Sequence, residues 1–224
     1  MIFDLIGASP IYILIELLVI VPIILFSLTF HEYAHAFVAN KLGDPTAKLQ
    51  GRLTLNPFKH LDPIGAILML VVGIGYAKPV MINARYFKNP KKGMALSALA
   101  GPSMNLIISF TAVVLGSVFG RFLYDQLPET FALAFDLFFY YLAYLNAYLA
   151  IFNLLPIPPF DGSRIAMVIL PDRIYFGIMK YERIIMIVTF AVILGLSRIN
   201  LNPFSWLAQL FINGVSSLIN LILP

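Results

Sequence analysis

The chain has 224 residues, of which 60% are hydrophobic and only 12% charged, with a formal net charge of +4. Soluble domains carry about 25% charged residues, so a separate soluble catalytic domain is excluded. The lack of a dense basic patch interleaved with aromatics excludes nucleic acid as a partner, and the lack of any cysteine excludes disulfides and thiolate ligands. A mean hydropathy of +0.89 instead implies an all-α polytopic membrane protein. Its expected form is a bundle of about 4–6 transmembrane helices in a lipid bilayer. One membrane-embedded domain is expected over residues 1–224, with a core at 10–170 and peripheral C-terminal helices at 178–224.

The first predicted helix covers about 10–42 and stops at Gly43; Pro22 is a candidate kink. No cleavable signal peptide is expected, because this apolar run is long and leads straight into a polar motif. That motif is TFHEYAHAFV, residues 29–38. His31 and His35 stand one helical turn apart and share a face. H-E-x-x-H on a helix is the pattern of zinc hydrolases: two imidazoles share the metal, and the glutamate beside them accepts a proton from water. Glu16, near the helix start, reads as an interfacial residue. Three titratable groups within an apolar run are costly unless they serve a function.

Residues 43–63 form a polar loop with Lys48, Arg52, Lys59 and the third histidine, His60, which reads as a loop residue. The next apolar stretch, 64–77, has only 14 residues, short of the roughly 20 a span needs. It is followed by KPVMINARYFKN, residues 78–89, with a β-rich core and a turn expected at Asn83–Ala84. Together they read as a re-entrant half-helix and β-hairpin; the alternative is a short tilted span and an ordinary loop. An exposed hairpin edge could hold an unwound substrate strand, which makes Val80 and Ile82 candidate substrate contacts.

Residues 93–120 contain no charge and read as a transmembrane helix. Gly93, Ser97, Gly101, Asn105 and Ser109 recur every four residues, a small or polar stripe suited to close helix packing. Asn105 faces protein on this pattern and is a further candidate for substrate binding. Another long apolar run, 130–160, ends in NLLPIPPFDG, residues 153–162. Its prolines force the helix to unwind and present Asp161. Two histidines need a third protein ligand, and Asp161 is the strongest carboxylate, with Asp136 second; Asp44, Asp62 and Asp172 fall in polar loops. Residues 184–197 make a short span that snorkelling by Arg183 and Arg198 would lengthen. Residues 203–224 either span or lie at the surface around Trp206.

Basic loops at 41–60, 78–92 and 164–183 all fall on one side if 64–89 re-enters, and the acidic loop at 121–129 falls on the other. The positive-inside rule then sets the histidine motif toward the cytoplasmic end of its helix.

HEYAH in an apolar helix, AGPSMN at 100–105 and NLLPIPPFDG at 153–162 together resemble the site-2 protease family of intramembrane metalloproteases, in its short form without PDZ or CBS domains. The resemblance runs from about residue 20 to residue 170. It implies one Zn²⁺ per chain held by His31, His35 and Asp161, with Glu32 as general base and Asn153 close to the metal. It implies hydrolysis of peptide bonds in or near transmembrane segments of other membrane proteins, in the cell (inner) membrane. Two other classes compete. A membrane zinc carrier or silent adaptor would not need Glu32. The prenyl-protein proteases take their third ligand from a later glutamate, and neither Glu129 nor Glu182 lies in a suitable apolar helix.

Overall fold

The computed structural model describes residues 10–62, 65, 78–198 and 201–222. It is all-helical, and among the described residues there is no strand. Helix α1 is Pro10–Lys41, with Pro22 inside. Gly43 ends it at a φ of +108°, a left-handed conformation that glycine adopts without steric cost. A short helix α2, Thr46–Leu49, follows. The central helix α3 is Pro90–Phe122. Its start combines Pro90 in the first turn with an Asn89 cap that accepts from the Lys92 N–H, as helix N-termini favour. Then come α4, Glu129–Asn153, α5, Asp161–Ile169, and α6, Asp172–Met179. The chain ends with α7, Glu182–Arg198, and α8, Pro203–Ile222.

Four of these are long and apolar enough to cross a membrane: Leu17–Lys41 within α1, α3, α4 and α8. Helix α7 has 17 residues, about 25 Å of rise against a hydrocarbon core of about 30 Å. Large apolar side chains such as Leu18, Phe26, Ile107, Phe110, Phe131 and Trp206 are exposed on the outside of the bundle. A water-soluble fold would bury such residues; a bilayer solvates them.

Helix α3 is the hub, touching α1, α4, α5 and α8. The small stripe explains why: Gly93, Ser97, Gly101, Asn105 and Ser109 are all buried, so neighbouring helices approach its backbone closely. Ser109 Oγ donates to the Ala143 carbonyl at 2.7 Å. Lower on the same helix, Ala112 and Val113 join Ala143 of α4 with Ile212, Val215 and Ile219 of α8 in one apolar cluster.

The expected hairpin at 78–89 is corrected. Residues 78–83 run extended without a paired strand, and a 3₁₀ turn, Ala84–Tyr86, follows. The turn falls where expected, capped by the Asn83 side chain. Side chains take several of the backbone groups that a second strand would have used. Buried Arg52 donates to the Lys78 and Pro79 carbonyls, and buried Asp44 accepts from the Asn83 N–H at 2.7 Å. His60 is also more than a loop residue. It is 1% exposed, its ring bonds the Thr54 carbonyl at 2.8 Å, and its own carbonyl accepts from the Lys78 N–H. The half-helix expected at 64–77 lies, Gly65 apart, outside the described residues.

Candidate metal centre

Helical periodicity brings the two imidazoles of α1 together, with Nε2 of His31 and Nε2 of His35 3.0 Å apart. The third member comes from α5, which also packs on α3. After Asn153 the chain passes through Pro156, Pro158 and Pro159, and α5 restarts at Asp161. Asp161 Oδ2 stands 3.1 Å from His31 Nε2 and 3.2 Å from His35 Nε2.

Two glycines make this convergence possible. A Cβ on Gly101 would stand 2.4 Å from His35 Nε2 and 2.6 Å from His31 Cε1. The bare backbone of α3 is therefore the floor on which both rings lie. A Cβ on Gly162 would stand 2.2 Å from the Leu154 carbonyl oxygen and 2.3 Å from that of Leu155, so α5 begins hard against the end of α4 and carries Asp161 inward.

The other ring nitrogens define the chemistry. His35 Nδ1 lies 2.7 Å from the Ser97 carbonyl oxygen, which only accepts, so Nδ1 carries the proton. His31 Nδ1 lies 2.5 Å from Asn105 Oδ1, also an acceptor. Both Nε2 atoms thus turn lone pairs toward each other and toward Asp161 Oδ2, a buried oxygen that receives no hydrogen bond. Three lone-pair atoms 3.0–3.2 Å apart repel unless positive charge lies between them. Ligand atoms around a tetrahedral zinc stand about 3.3 Å apart, so the triangle has the size and the donor set for that ion.

These groups open onto a cavity of about 430 Å³. Glu32, Asn153, Val80 and Ile82 line it with the three ligand candidates. Glu32 is buried, and its Oε2 accepts from the Val80 N–H at 2.9 Å. Asn153, the last residue of α4, donates to the Leu149 carbonyl at 3.0 Å. The Val80 side chain packs against Ala36 and Ala47. Asn105 does not line the cavity. It is fully buried behind His31, so the stripe that turned it toward protein also turned it away from the cavity.

Sequence reasoning missed Arg164 and Glu182, which also line the cavity, and Ser27 and Asn146, which stand behind Asn105. For the last two a signal existed: a polar side chain within an apolar helix usually faces a partner.

Apolar helices of bilayer length around buried histidines, a carboxylate and a glutamate define the class of a membrane-embedded metallohydrolase. Residues 117–196 match the model of peptidase family M50. The chain is 44% identical over 178 residues to YwhC of Bacillus subtilis, a candidate zinc metalloprotease, covering 77% of this chain and 80% of YwhC. It is 31% identical over 145 residues to the candidate zinc metalloprotease Rip2 of Mycolicibacterium smegmatis, covering 62% of this chain and 52% of Rip2. It is 30% identical over 163 residues to zinc metalloprotease MJ0392 of Methanocaldococcus jannaschii, covering 72% of this chain and 37% of that protein. No solved structure matches. The chain belongs to peptidase family M50, the site-2 proteases.

Proposed function

We propose that this chain is an intramembrane zinc endopeptidase that hydrolyses peptide bonds in or near the transmembrane segments of other membrane proteins. The observation that carries the reading is the triangle of ligand atoms on His31, His35 and Asp161 beside buried Glu32 in one cavity. Those three residues would hold one Zn²⁺, which supplies Lewis acidity for the carbonyl and acidifies water near neutral pH. Glu32 accepts the proton of the attacking water. The water oxygen bonds to the scissile carbonyl carbon, the C–N bond breaks, and the proton passes from Glu32 to the leaving amine. Asn153, on the cavity wall, donates to the substrate backbone or to the oxygen where negative charge develops.

A substrate helix hides its backbone groups, so it has to unwind to be cut. The extended segment 78–83 offers a partner edge for the unwound strand, with Val80 and Ile82 beside it. Glu32 stands nine residues, about 14 Å, from the end of α1, a depth that water reaches from one face. The end of α1, the start of α3 and the end of α4 share that face with the basic loops, which supports a cytoplasmic-facing site in the cell membrane. One membrane-embedded peptidase unit over 1–224 suits the way α8 packs on α3 and α4.

The test compares membrane proteomes of cells carrying the wild type and Glu32→Ala. Membrane-protein fragments that depend on Glu32 are expected, together with loss of cleavage on chelation and recovery on adding zinc. A fragment pattern indifferent to Glu32 overturns the protease reading and leaves a non-proteolytic zinc-binding membrane protein.

A further inference from the structure

One buried polar chain crosses the bundle behind His31, and the reaction does not use it. Ser27 of α1 donates its single hydroxyl proton to the Ile23 carbonyl at 2.7 Å. Its oxygen is then free only to accept, and it does so from Asn146 Nδ2 at 2.8 Å. The second proton of that amide goes to the Leu142 carbonyl, also at 2.8 Å. Asn146 Oδ1 therefore faces the other way and accepts from Asn105 Nδ2 at 2.7 Å. This leaves Asn105 Oδ1 for His31 Nδ1. Ser27, Asn105 and Asn146 are each 0% exposed.

The direction of this chain cannot be reversed. It ends on two backbone carbonyls, Ile23 and Leu142, and a carbonyl only accepts. A lone amide behind His31 could turn over at little cost. Its Nδ2 would then meet Nδ1, the ring proton would move to Nε2, and an N–H would point into the ligand triangle. We propose that Asn146, backed by Ser27, is a positioning residue for the metal centre: it locks the amide orientation of Asn105 and so keeps the Nε2 lone pair of His31 aimed at the ion. This rests on the metal-binding reading above. Groups behind a ligating histidine commonly contribute 10–100-fold to metal affinity. Here the group immediately behind is Asn105, and Asn146 decides which of its two faces it presents.

The test measures zinc affinity of the purified full chain in detergent by competition with a chelator, for wild type, Asn146→Leu, Ser27→Ala and His31→Ala. Asn146→Leu is expected to weaken zinc binding about 10–100-fold. Ser27→Ala should weaken it about 5-fold, one hydrogen bond's worth, because Asn146 keeps the Leu142 carbonyl. Nitrogen-15 spectra of histidine-labelled, zinc-loaded protein give a second readout. The His31 Nδ1 proton should become exposed to exchange in both variants while that of His35, tied to the Ser97 backbone, is unchanged. Zinc affinity within twofold of wild type in Asn146→Leu overturns the proposal, even if thermal stability falls, because a mere tie between helices would behave that way. Equal loosening of both histidines also overturns it. Should Asn146→Leu not fold, the Ser27→Ala affinity and spectra decide alone. If His31→Ala binds zinc as tightly as wild type, the metal assignment itself fails, which is a different result.

Discussion

The two halves of the site are built on different principles. His31, Glu32 and His35 sit on an unbroken turn of α1, where the helix sets their spacing and α3 supplies a bare floor at Gly101. Asp161 is the first residue of α5, straight after irregular backbone, and the segment 78–83 is irregular throughout. A proline-rich turn carries the aspartate, and Arg52, Asp44 and Glu32 hold the segment in place. The helical half therefore depends on what is behind the rings, and the irregular half depends on where the backbone is pinned. Buried backbone that no helix or strand pairs needs other partners for its polar groups. Here buried charged side chains do that work.

This contrast can be attacked from both sides. The largest expected effect is chemical: Glu32→Gln should lower cleavage of a reporter membrane substrate about 10³-fold, while zinc content by elemental analysis stays at one per chain. Next comes the helical half. Gly101→Ala forces a methyl group into both imidazoles, and zinc affinity by chelator competition should fall at least about 100-fold. Gly162→Ala strikes the irregular half. Its new methyl group meets two carbonyl oxygens that cannot move aside, so α5 must shift with Asp161, and zinc affinity should drop about 10–100-fold. If Gly162→Ala left zinc binding intact while Gly101→Ala removed it, the turn would be a looser support than its packing implies.

Val80→Pro removes the N–H that Glu32 accepts and touches no ligand. Cleavage should fall about 10-fold, the loss of one charge-assisted hydrogen bond, with zinc affinity within twofold of wild type. The smallest effect is expected at the Lys91–Asp172 ion pair, which ties the start of α3 to α6 but lies 40% and 61% exposed. Lys91→Ala should shift unfolding by less than about 1 kcal/mol in thermal melts and leave activity unchanged.

Much of the helical half was legible in the sequence because it depends on periodicity. The i,i+4 spacing of His31 and His35 and the four-residue stripe of α3 both survive in the structure as read. Asp161 could be picked out because prolines interrupt an apolar run just before it. The side-chain pairings were not legible. Asn105 meets Asn146, 41 residues on, and Val80 meets Glu32, 48 residues back; such contacts depend on the rotation of one helix against another, which no local pattern encodes. The hairpin reading failed for a related reason. Alternating β-formers specify an extended chain and do not say whether its partner is a strand or a set of buried side chains. His60 does lie in a loop, but its burial was not legible, because burial in a loop leaves no periodic trace.

Gly101 has a use beyond this chain. Between α1 and α3 at this level the two rings leave no room for a side chain, because ring atoms stand where a Cβ would be. A side chain at this position and full-sized rings opposite it are mutually exclusive at unchanged helix spacing. When a related sequence shows alanine or larger here, the two histidine positions should be inspected for smaller residues. Such a sequence could keep the same helix pair and the same place in the bilayer with no room for the ligands. A single glycine on the neighbouring helix thereby serves as a marker for whether a similar bundle still has space for a working centre.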